Sequence, residues 1–133
     1  MLRCTPETHS RKELTMDKIN LTEKLSHIRE FWTPGIIAEL NDAYVKLAKL
    51  KGEFIWHQHD AEDELFFVLS GRLLVRFRDR DVWLEEGELL IVPKEVEHMP
   101  VAHEEVHLML IEPKTTVNTG DGRSDRTVED RWI

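Results

Sequence analysis

The apolar positions of the chain change their period near residue 35. Between residues 21 and 28 they recur at helical spacing, and Asn20 followed by Glu23 is typical of a helix N-terminal cap. Pro34-Gly35 ends this run, so the pattern predicts one short N-terminal helix. Beyond it, apolar residues alternate with polar ones or form short runs, which is the pattern of β-strands.

Eight or nine short strands are predicted after the helix, separated by turn-forming residues. The segments are 36–40, 44–50, 53–59, 64–69, 72–78, 82–84, 88–92, 98–102 and 106–112. Strands of this length and spacing favour an antiparallel sandwich or a barrel that closes on itself. The predicted fold class is therefore all-β with one short N-terminal helix.

Composition and charge exclude several classes of partner. The chain has 133 residues, 41% of them apolar, as expected of one soluble globular domain. Its 18 basic and 26 acidic residues give a net charge of −8, which argues against nucleic acid and against anionic membranes. No apolar run approaches the ~18 residues of a membrane span. Cys4 is the lone cysteine, so we expect a cytoplasmic protein without an intrachain disulfide.

Three regions are predicted along the chain. Residues 1–16 are polar and unpatterned, and we expect a disordered or non-native extension there, with Met16 as a candidate physiological start. The patterned segment 17–113 is the predicted domain. Residues 114–133 are rich in Gly, Asp, Arg and Thr, and are expected to form a C-terminal surface tail.

The candidate chemistry lies in the middle of the chain. His57 and His59 are two residues apart on a predicted strand, so both imidazoles point the same way and can chelate one metal ion. The alternative is a pair of surface histidines at a polar strand end. Glu64 begins the next strand, where its carboxylate could return to the pair. His98 follows Pro93 at the start of a later strand and is a fourth candidate.

Two spaced motifs resemble those of the cupin superfamily. Gly52-(four residues)-His57-Gln58-His59-(four)-Glu64-(six)-Gly71 is similar to the first cupin motif, one residue shorter than usual at its front. After fifteen residues, Gly87-(five)-Pro93-(four)-His98 is similar to the second motif. More narrowly, the chain resembles small single-domain cupins of the mannose-6-phosphate-isomerase-like group. The resemblance implies a double-stranded β-helix, a jelly-roll barrel with a metal near its middle.

Carried over position by position, the resemblance implies that His57, His59, Glu64 and His98 bind one divalent transition metal ion. Three imidazoles and a carboxylate, without thiolate, suit Fe, Mn, Ni, Cu or Zn. Four protein ligands leave two positions of an octahedral ion open to a small molecule in the barrel. Glu64 is also the candidate catalytic residue, because a carboxylate that loosens from the ion could shuttle a proton.

The favoured function is a small metal-dependent enzyme of dioxygenase type that acts on a small oxygenated organic substrate. Two alternatives stay open: an isomerase or epimerase of a sugar or keto acid, and a non-catalytic protein that binds a metal or a small ligand. The fold hosts many reactions, so the resemblance does not choose among them.

One predicted strand is apolar on both faces. Phe66 and Val68 share a face with Glu64 and should line an apolar cavity around the metal. The alternate positions are also apolar: Leu65, Phe67 and Leu69. Such a strand must be covered twice, by the terminal segments of the chain or by a second subunit. We predict a homodimer, in keeping with the resemblance.

Two positions depart from the cupin pattern. Glu95 stands where the second motif usually has glycine; a left-handed backbone there would cost about 1–2 kcal/mol, so we expect a slightly different turn and an intact metal site. Ala102 stands where many cupins have asparagine, so any hydrogen bond of that amide is missing. The histidines at 27, 103 and 107 are expected to be surface or packing residues, the last two in a hairpin turn.

Overall fold

The computed structural model describes residues 16–133, which form one short helix and seven strands. The elements are α1 (Leu21–Leu25), β1 (Gly35–Leu40), β2 (Ala43–Glu53), β3 (Glu64–Ser70), β4 (Leu73–Phe77), β5 (Asp81–Leu84), β6 (Leu89–Val92) and β7 (His98–Pro113). Residues 1–15, including Cys4 and His9, lie outside the described part. The all-β class with one short helix is confirmed.

Helix α1 begins where the sequence predicts. The Asn20 side chain accepts a hydrogen bond of 2.9 Å from the backbone N–H of Glu23, as an N-cap should. The helix ends at Leu25, well before the Pro34-Gly35 pair. Past that point the N–H of Ile28 donates to Leu25, three residues back instead of four, so the chain tightens into turns.

Strand β7 organises the sheet because it pairs along both edges. One edge pairs with β2, and the other pairs first with β4 and then with β3. The strand order is β1-β2-β7-β3-β6, with β5 added beyond β4, and every pair is antiparallel. The sheet therefore divides at β7 into two halves that share this strand.

Two strand predictions are wrong. The predicted strands 98–102 and 106–112 form one continuous strand, because Glu104 and Glu105 lie in a bulge opposite β2 rather than in a hairpin turn. The predicted strand 53–59 is absent. β2 continues to Glu53, and beyond it the N–H of Phe54 donates to the carbonyl of Pro100 and His57 forms a bridge with His98.

The two halves of the sheet enclose one apolar core. Its members come from every strand except β1: Ala48, Leu50, Phe66, Val68, Leu73, Val75, Phe77, Leu84, Val92, Ala102, Val106, Leu108 and Leu110. Phe66 and Val68 face this interior, as their phase with Glu64 predicts. Burial of this interdigitated set supplies the main driving force for closure of the barrel.

The outer face of the sheet is covered unevenly. A second cluster, built on Ile28, Ile37 and Leu47, packs α1 and the last residue, Ile133, against β1 and β2. Over β3 and β6, by contrast, Leu89 and Ile91 remain 56% and 51% exposed. Within residues 16–133 no helix has the length and apolar character that crossing a bilayer requires.

Residues 114–133 make specific contacts with the barrel. Thr116 and Thr119 are buried, and the N–H of Asp121 donates to the carbonyl of Gln58. At the end of the chain, Trp132 forms a parallel bridge with Ile36. These contacts place the segment beside the loop that carries His57 and His59. The domain limits at 17, 113 and 133 stay a prediction.

Candidate metal centre

The four candidate ligands lie at the starts of two strands and in the loop between β2 and β3. Glu64 is the first residue of β3, and His98 is the first residue of β7. His57 and His59 lie in the loop, where His57 exchanges two backbone hydrogen bonds of 2.9–3.0 Å with His98. This bridge holds the loop against β7 and brings the four side chains together.

The side chains converge on a small volume. Each of the four residues offers one ligand atom, and all these atoms lie within 4.8 Å of one another. The Nε2 atoms of His59 and His98 are 3.0 and 3.4 Å from the same atom, Oε1 of Glu64. The rings of His57 and His98 have centroids 4.3 Å apart. This cluster could hold a metal ion.

Backbone carbonyls orient two of the imidazoles. The Nδ1 atoms of His57 and His98 lie 2.9 and 2.8 Å from the carbonyl oxygens of Ile55 and Val96. When Nδ1–H donates to these carbonyls, the lone pair of each ring is at Nε2. A hydrogen bond from the remote nitrogen is the usual way in which proteins fix the ring of a metal-binding histidine.

Burial leaves several polar atoms of the cluster without hydrogen bonds. His59, Glu64 and His98 are at most 4% exposed. Within residues 16–133, both ring nitrogens of His59, Oε1 of Glu64 and Nε2 of His98 have no hydrogen-bond partner, because the short contacts among them lack hydrogen-bond geometry. Unpaired buried polar atoms cost on the order of 1–3 kcal/mol each. A cation bound by one nitrogen of His59, by Oε1 of Glu64 and by Nε2 of His98 would satisfy three of these four atoms, so the residues present fit a divalent metal.

The charge states of the cluster suit metal binding. Burial, together with the neighbouring His98, lowers the pKa of His57 to about 4, so this ring is neutral near pH 7. Burial alone would raise the pKa of Glu64, but the close approach of His59 and His98 holds it well below its usual range. Burial opposes protonation of His59, yet Glu64 raises its pKa. Metal binding at His59 would therefore compete with protonation of this ring.

A small cavity adjoins the cluster. The cavity has a volume of about 50 Å³, and His57 and Glu64 form part of its wall. The rest of the wall is mainly apolar and includes Trp32, Leu50, Phe54, Phe66, Leu108 and Leu110. The Trp32 ring stacks on Phe54 at a centroid distance of 5.0 Å, and its indole N–H donates to the carbonyl of Lys51. The cavity suits a small ligand with a substantial apolar part.

Sequence reasoning missed a second carboxyl group in this wall. Glu112 lines the cavity and is 4% exposed, and its Oε2 lies 2.7 Å from Nζ of the equally buried Lys46. Its phase could have revealed it, because Glu112 continues the inward-facing series of Val106, Leu108 and Leu110. A charged residue in an apolar series is a signal of a buried interaction.

The two departures from the cupin pattern have different outcomes. Glu95 has φ 69°, so the turn keeps the left-handed backbone that glycine usually supplies there, and the expected change of turn is wrong. The N–H of Glu95 donates to the carbonyl of His59 at 2.7 Å, which holds the turn against the candidate ligands. Ala102 is fully buried in the apolar core, where its methyl group packs.

The remaining histidines of the described part lie away from the cluster. His27 and His103 are exposed, and His107 lies 2.7 Å from the Glu105 carboxylate at the surface. Trp56, next to His57 in sequence, packs outside the barrel against Leu74, Met99 and Val101. The sequence-based interpretation of the histidines at 27, 103 and 107 as surface or packing groups agrees with their positions.

Comparison with known proteins supports the fold and the motifs. The model of the family described as "Cupin domain" matches residues 43–118, more than half of the chain. Uncharacterized protein YdbB of Bacillus subtilis (strain 168) is 39% identical over 80 residues, which is 59% of this chain and 71% of YdbB.

Two crystal structures resemble the whole barrel. A cupin-2 domain containing protein from Shewanella frigidimarina NCIMB 400 shares 47% identity with a TM-score of 0.71, covering 72% of this chain and 94% of its own. Protein NMB1881 from Neisseria meningitidis shares 36% identity with a TM-score of 0.68, covering 74% of this chain and 100% of its own. Membership of the mannose-6-phosphate-isomerase-like group stays a prediction. The chain belongs to the cupin superfamily.

Proposed function

We propose that this cupin binds one divalent transition metal ion through His57, His59, Glu64 and His98, and that it acts as a small dioxygenase-type enzyme. The observation that carries the proposal is the juxtaposition of the unsatisfied His/Glu cluster with the cavity, since His57 and Glu64 belong to both. A small oxygenated organic molecule in the cavity would thus lie beside the metal. The metal is Fe, Mn, Ni, Cu or Zn, the ions that this donor set accommodates.

When bound, the ion would supply Lewis acidity and, if redox-active, one-electron chemistry. The residues of the chain supply the remainder. Apolar side chains around Phe66 give the cavity a wall of low polarity, which strengthens electrostatic interactions beside it. Glu64 faces the cavity as a carboxylate and is placed to accept a proton from a bound substrate.

The cavity wall favours an uncharged substrate over a sugar phosphate. Among the described residues that line it, none is a lysine or an arginine. Lys46 faces inward, but Glu112 and Asp130 neutralise it at 2.7 and 2.6 Å. A phosphate group would therefore be desolvated without a cationic partner, which is costly. The isomerase alternative is in this respect weaker for phosphorylated sugars.

Oxygen uptake tests the proposed reaction. We expect iron-loaded protein to consume O₂ with at least one member of a panel of diketones, flavonoids and thiols. Glu64→Gln, compared at equal iron occupancy, should lower the rate by about 100-fold or more, because the glutamine amide cannot accept a proton. Glu104→Gln is the matched control, since Glu104 is exposed on β7, and it should keep the wild-type rate. Unchanged turnover in Glu64→Gln would remove the catalytic role, and no uptake with any substrate would overturn the dioxygenase assignment.

We also propose that the protein is a homodimer that docks through the outer face of β3 and β6. Leu65 pairs across the strands with Ile91, and Phe67 pairs with Leu89, so the four side chains form one continuous apolar patch. A patch of this kind on a small domain is typical of an interface between subunits.

A cytoplasmic location also stays a prediction.

Sedimentation equilibrium tests the dimer. We expect the wild-type protein to show twice the mass of the chain at micromolar concentration, and Ile91→Lys to show the mass of one chain. The substitution should leave the monomer folded, because Ile91 is 51% exposed. Leu40→Lys, at the 60% exposed end of β1 on the opposite edge of the sheet, is the control and should remain dimeric. A monomeric wild type would contradict the proposal.

A further inference from the structure

A row of buried ionisable side chains leads away from the candidate metal centre. Lys46, Glu112 and Glu64 lie on the adjacent strands β2, β7 and β3, and each is at most 4% exposed. Lys46 Nζ is 2.7 Å from Oε2 of Glu112, and Glu112 and Glu64 lie side by side on β7 and β3 in the wall of the same cavity. These three groups therefore form one buried row that ends at a proposed metal ligand.

The strand register produces this row. Leu65 of β3 is opposite Ile111 of β7, which places the preceding Glu64 beside Glu112 on the inner face. Side chains in such cross-strand positions have Cβ atoms about 4.5–5.5 Å apart and interact directly. Lys46 of β2 is opposite Leu110, so its long side chain reaches Glu112 diagonally. Two neighbouring acidic groups are thus buried beside one ammonium group.

The other end of the row is the C-terminal segment. Lys46 Nζ lies 2.6 Å from Oδ1 of Asp130, whose side chain is 34% exposed. The residues that follow Asp130 are fixed beside β1, where Ile36 donates to the carbonyl of Arg131 and accepts from the N–H of Ile133. Trp132 packs edge-on against Tyr44 of β2. The row therefore connects the segment 130–133 with Glu64.

A buried ion pair is a poor device for stability alone, because apolar side chains of similar volume are often equally or more stabilising. Groups that contact a metal ligand on the side away from the metal act on metal binding rather than on stability alone. They fix the orientation of the ligand, and their loss typically weakens metal binding by about 10–100-fold. Glu112 is placed to fix the orientation of Glu64. Lys46 and Asp130 are placed to fix the orientation of Glu112.

We propose that Lys46, Glu112 and Asp130 are positioning residues that hold Glu64 in its metal-binding orientation and couple the metal centre to the segment 130–133. The proposal rests on the proposed metal-binding function. Because coupling between two sites is reciprocal, an Asp130 contact that strengthens metal binding requires that metal binding, in turn, stabilise the docked segment.

The test measures metal affinity by competition with a chromophoric chelator, well below the unfolding temperature, and hydrogen exchange of residues 130–133 with and without Zn²⁺. We expect Glu112→Gln to weaken Zn²⁺ binding by about 10–100-fold. Asp130→Asn should weaken it several-fold and abolish the Zn²⁺-dependent protection of the segment. Asp130→Glu should restore part of both effects. Since Asp130 is partly exposed, its variants should fold even if those at Glu112 do not.

Glu97→Gln is the matched control. It breaks an exposed ion pair of 3.0 Å with Arg78, away from the row, and should change neither affinity nor exchange. A merely structural row would lower the thermal stability of the variants and leave their Zn²⁺ affinity at the wild-type value. Wild-type affinity in both Glu112→Gln and Asp130→Asn, or exchange of the segment that ignores Zn²⁺, would overturn the proposal. Failure of the wild-type protein to bind Zn²⁺ would instead count against the proposed function.

Discussion

His57→Ala is expected to lower the affinity for divalent transition metals by more than about 100-fold, since a ligand should matter more than the groups that orient it. The substitution removes a neutral imidazole from the wall of the cavity, so the barrel should remain folded. Elemental analysis of protein purified without a histidine tag or nickel resin, followed by metal reloading, measures the effect. Wild-type protein should carry close to one equivalent.

His103→Ala provides the control for this measurement. His103 is exposed on β7 and lies beside Trp83, outside the cluster, so its loss should leave the metal content unchanged. Metal should also stabilise the wild-type protein, by about 2.7 kcal/mol at a free concentration of 100 times Kd, and a chelator should remove this gain. Wild-type protein that stays nearly free of metal after reloading, or a His57→Ala variant that binds as tightly, would refute the metal site.

The candidate site could be predicted from the sequence because residues at set positions of the two cupin motifs come together in the folded barrel. His57, His59, Glu64 and His98 converge as the motifs imply, although the local reasoning was incorrect for the two loop histidines. They do not lie on a strand, and their rings meet because the backbone bridge to His98 pulls the loop inward. The motif spacing therefore predicts which side chains meet, whereas the predicted strand 53–59 does not form.

The polar surroundings of the site could not be predicted, because they depend on contacts between residues far apart in sequence. Glu64 and Glu112 are neighbours through the pairing of β3 with β7, and the prediction that divided β7 into two strands obscured this register. Lys46 meets Asp130 across 84 positions of the chain. The acidic pair Glu104-Glu105 between His103 and His107 indicated a hairpin, whereas pairing with β2 absorbs it in a bulge.

The segment after β7, whose composition predicts a surface tail, contacts the loop of the candidate metal centre. Gly120 has φ +75°, and a Cβ atom there would lie 2.2 Å from the carbonyl oxygen of Gln58, the residue between His57 and His59. The N–H of Asp121 donates to that same oxygen at 3.0 Å. The segment therefore packs directly on the backbone that carries two of the proposed ligands.

Gly120→Ala is accordingly expected to destabilise the protein by about 3 kcal/mol, the sum of a left-handed backbone and an overpacked contact. Relief of the clash must displace either the segment or Gln58, because both sides of the contact are backbone. Metal affinity should therefore fall by about tenfold or more, as it does when ligands lose their support. Chemical denaturation and chelator competition measure the two effects.

Gly122→Ala is the control. It shows whether any added Cβ atom in this segment destabilises the protein or only one at the contact of Gly120 with Gln58. A Cβ atom at Gly122 would meet no atom of residues 16–133 within 4 Å, and its backbone lies outside the left-handed region. We expect its unfolding free energy within about 0.5 kcal/mol of wild type and its metal affinity unchanged. If Gly120→Ala behaved like Gly122→Ala, the segment would not be packed on the ligand loop. Lost stability with unchanged affinity would mean that the segment yields while Gln58, and with it His57 and His59, stays in place.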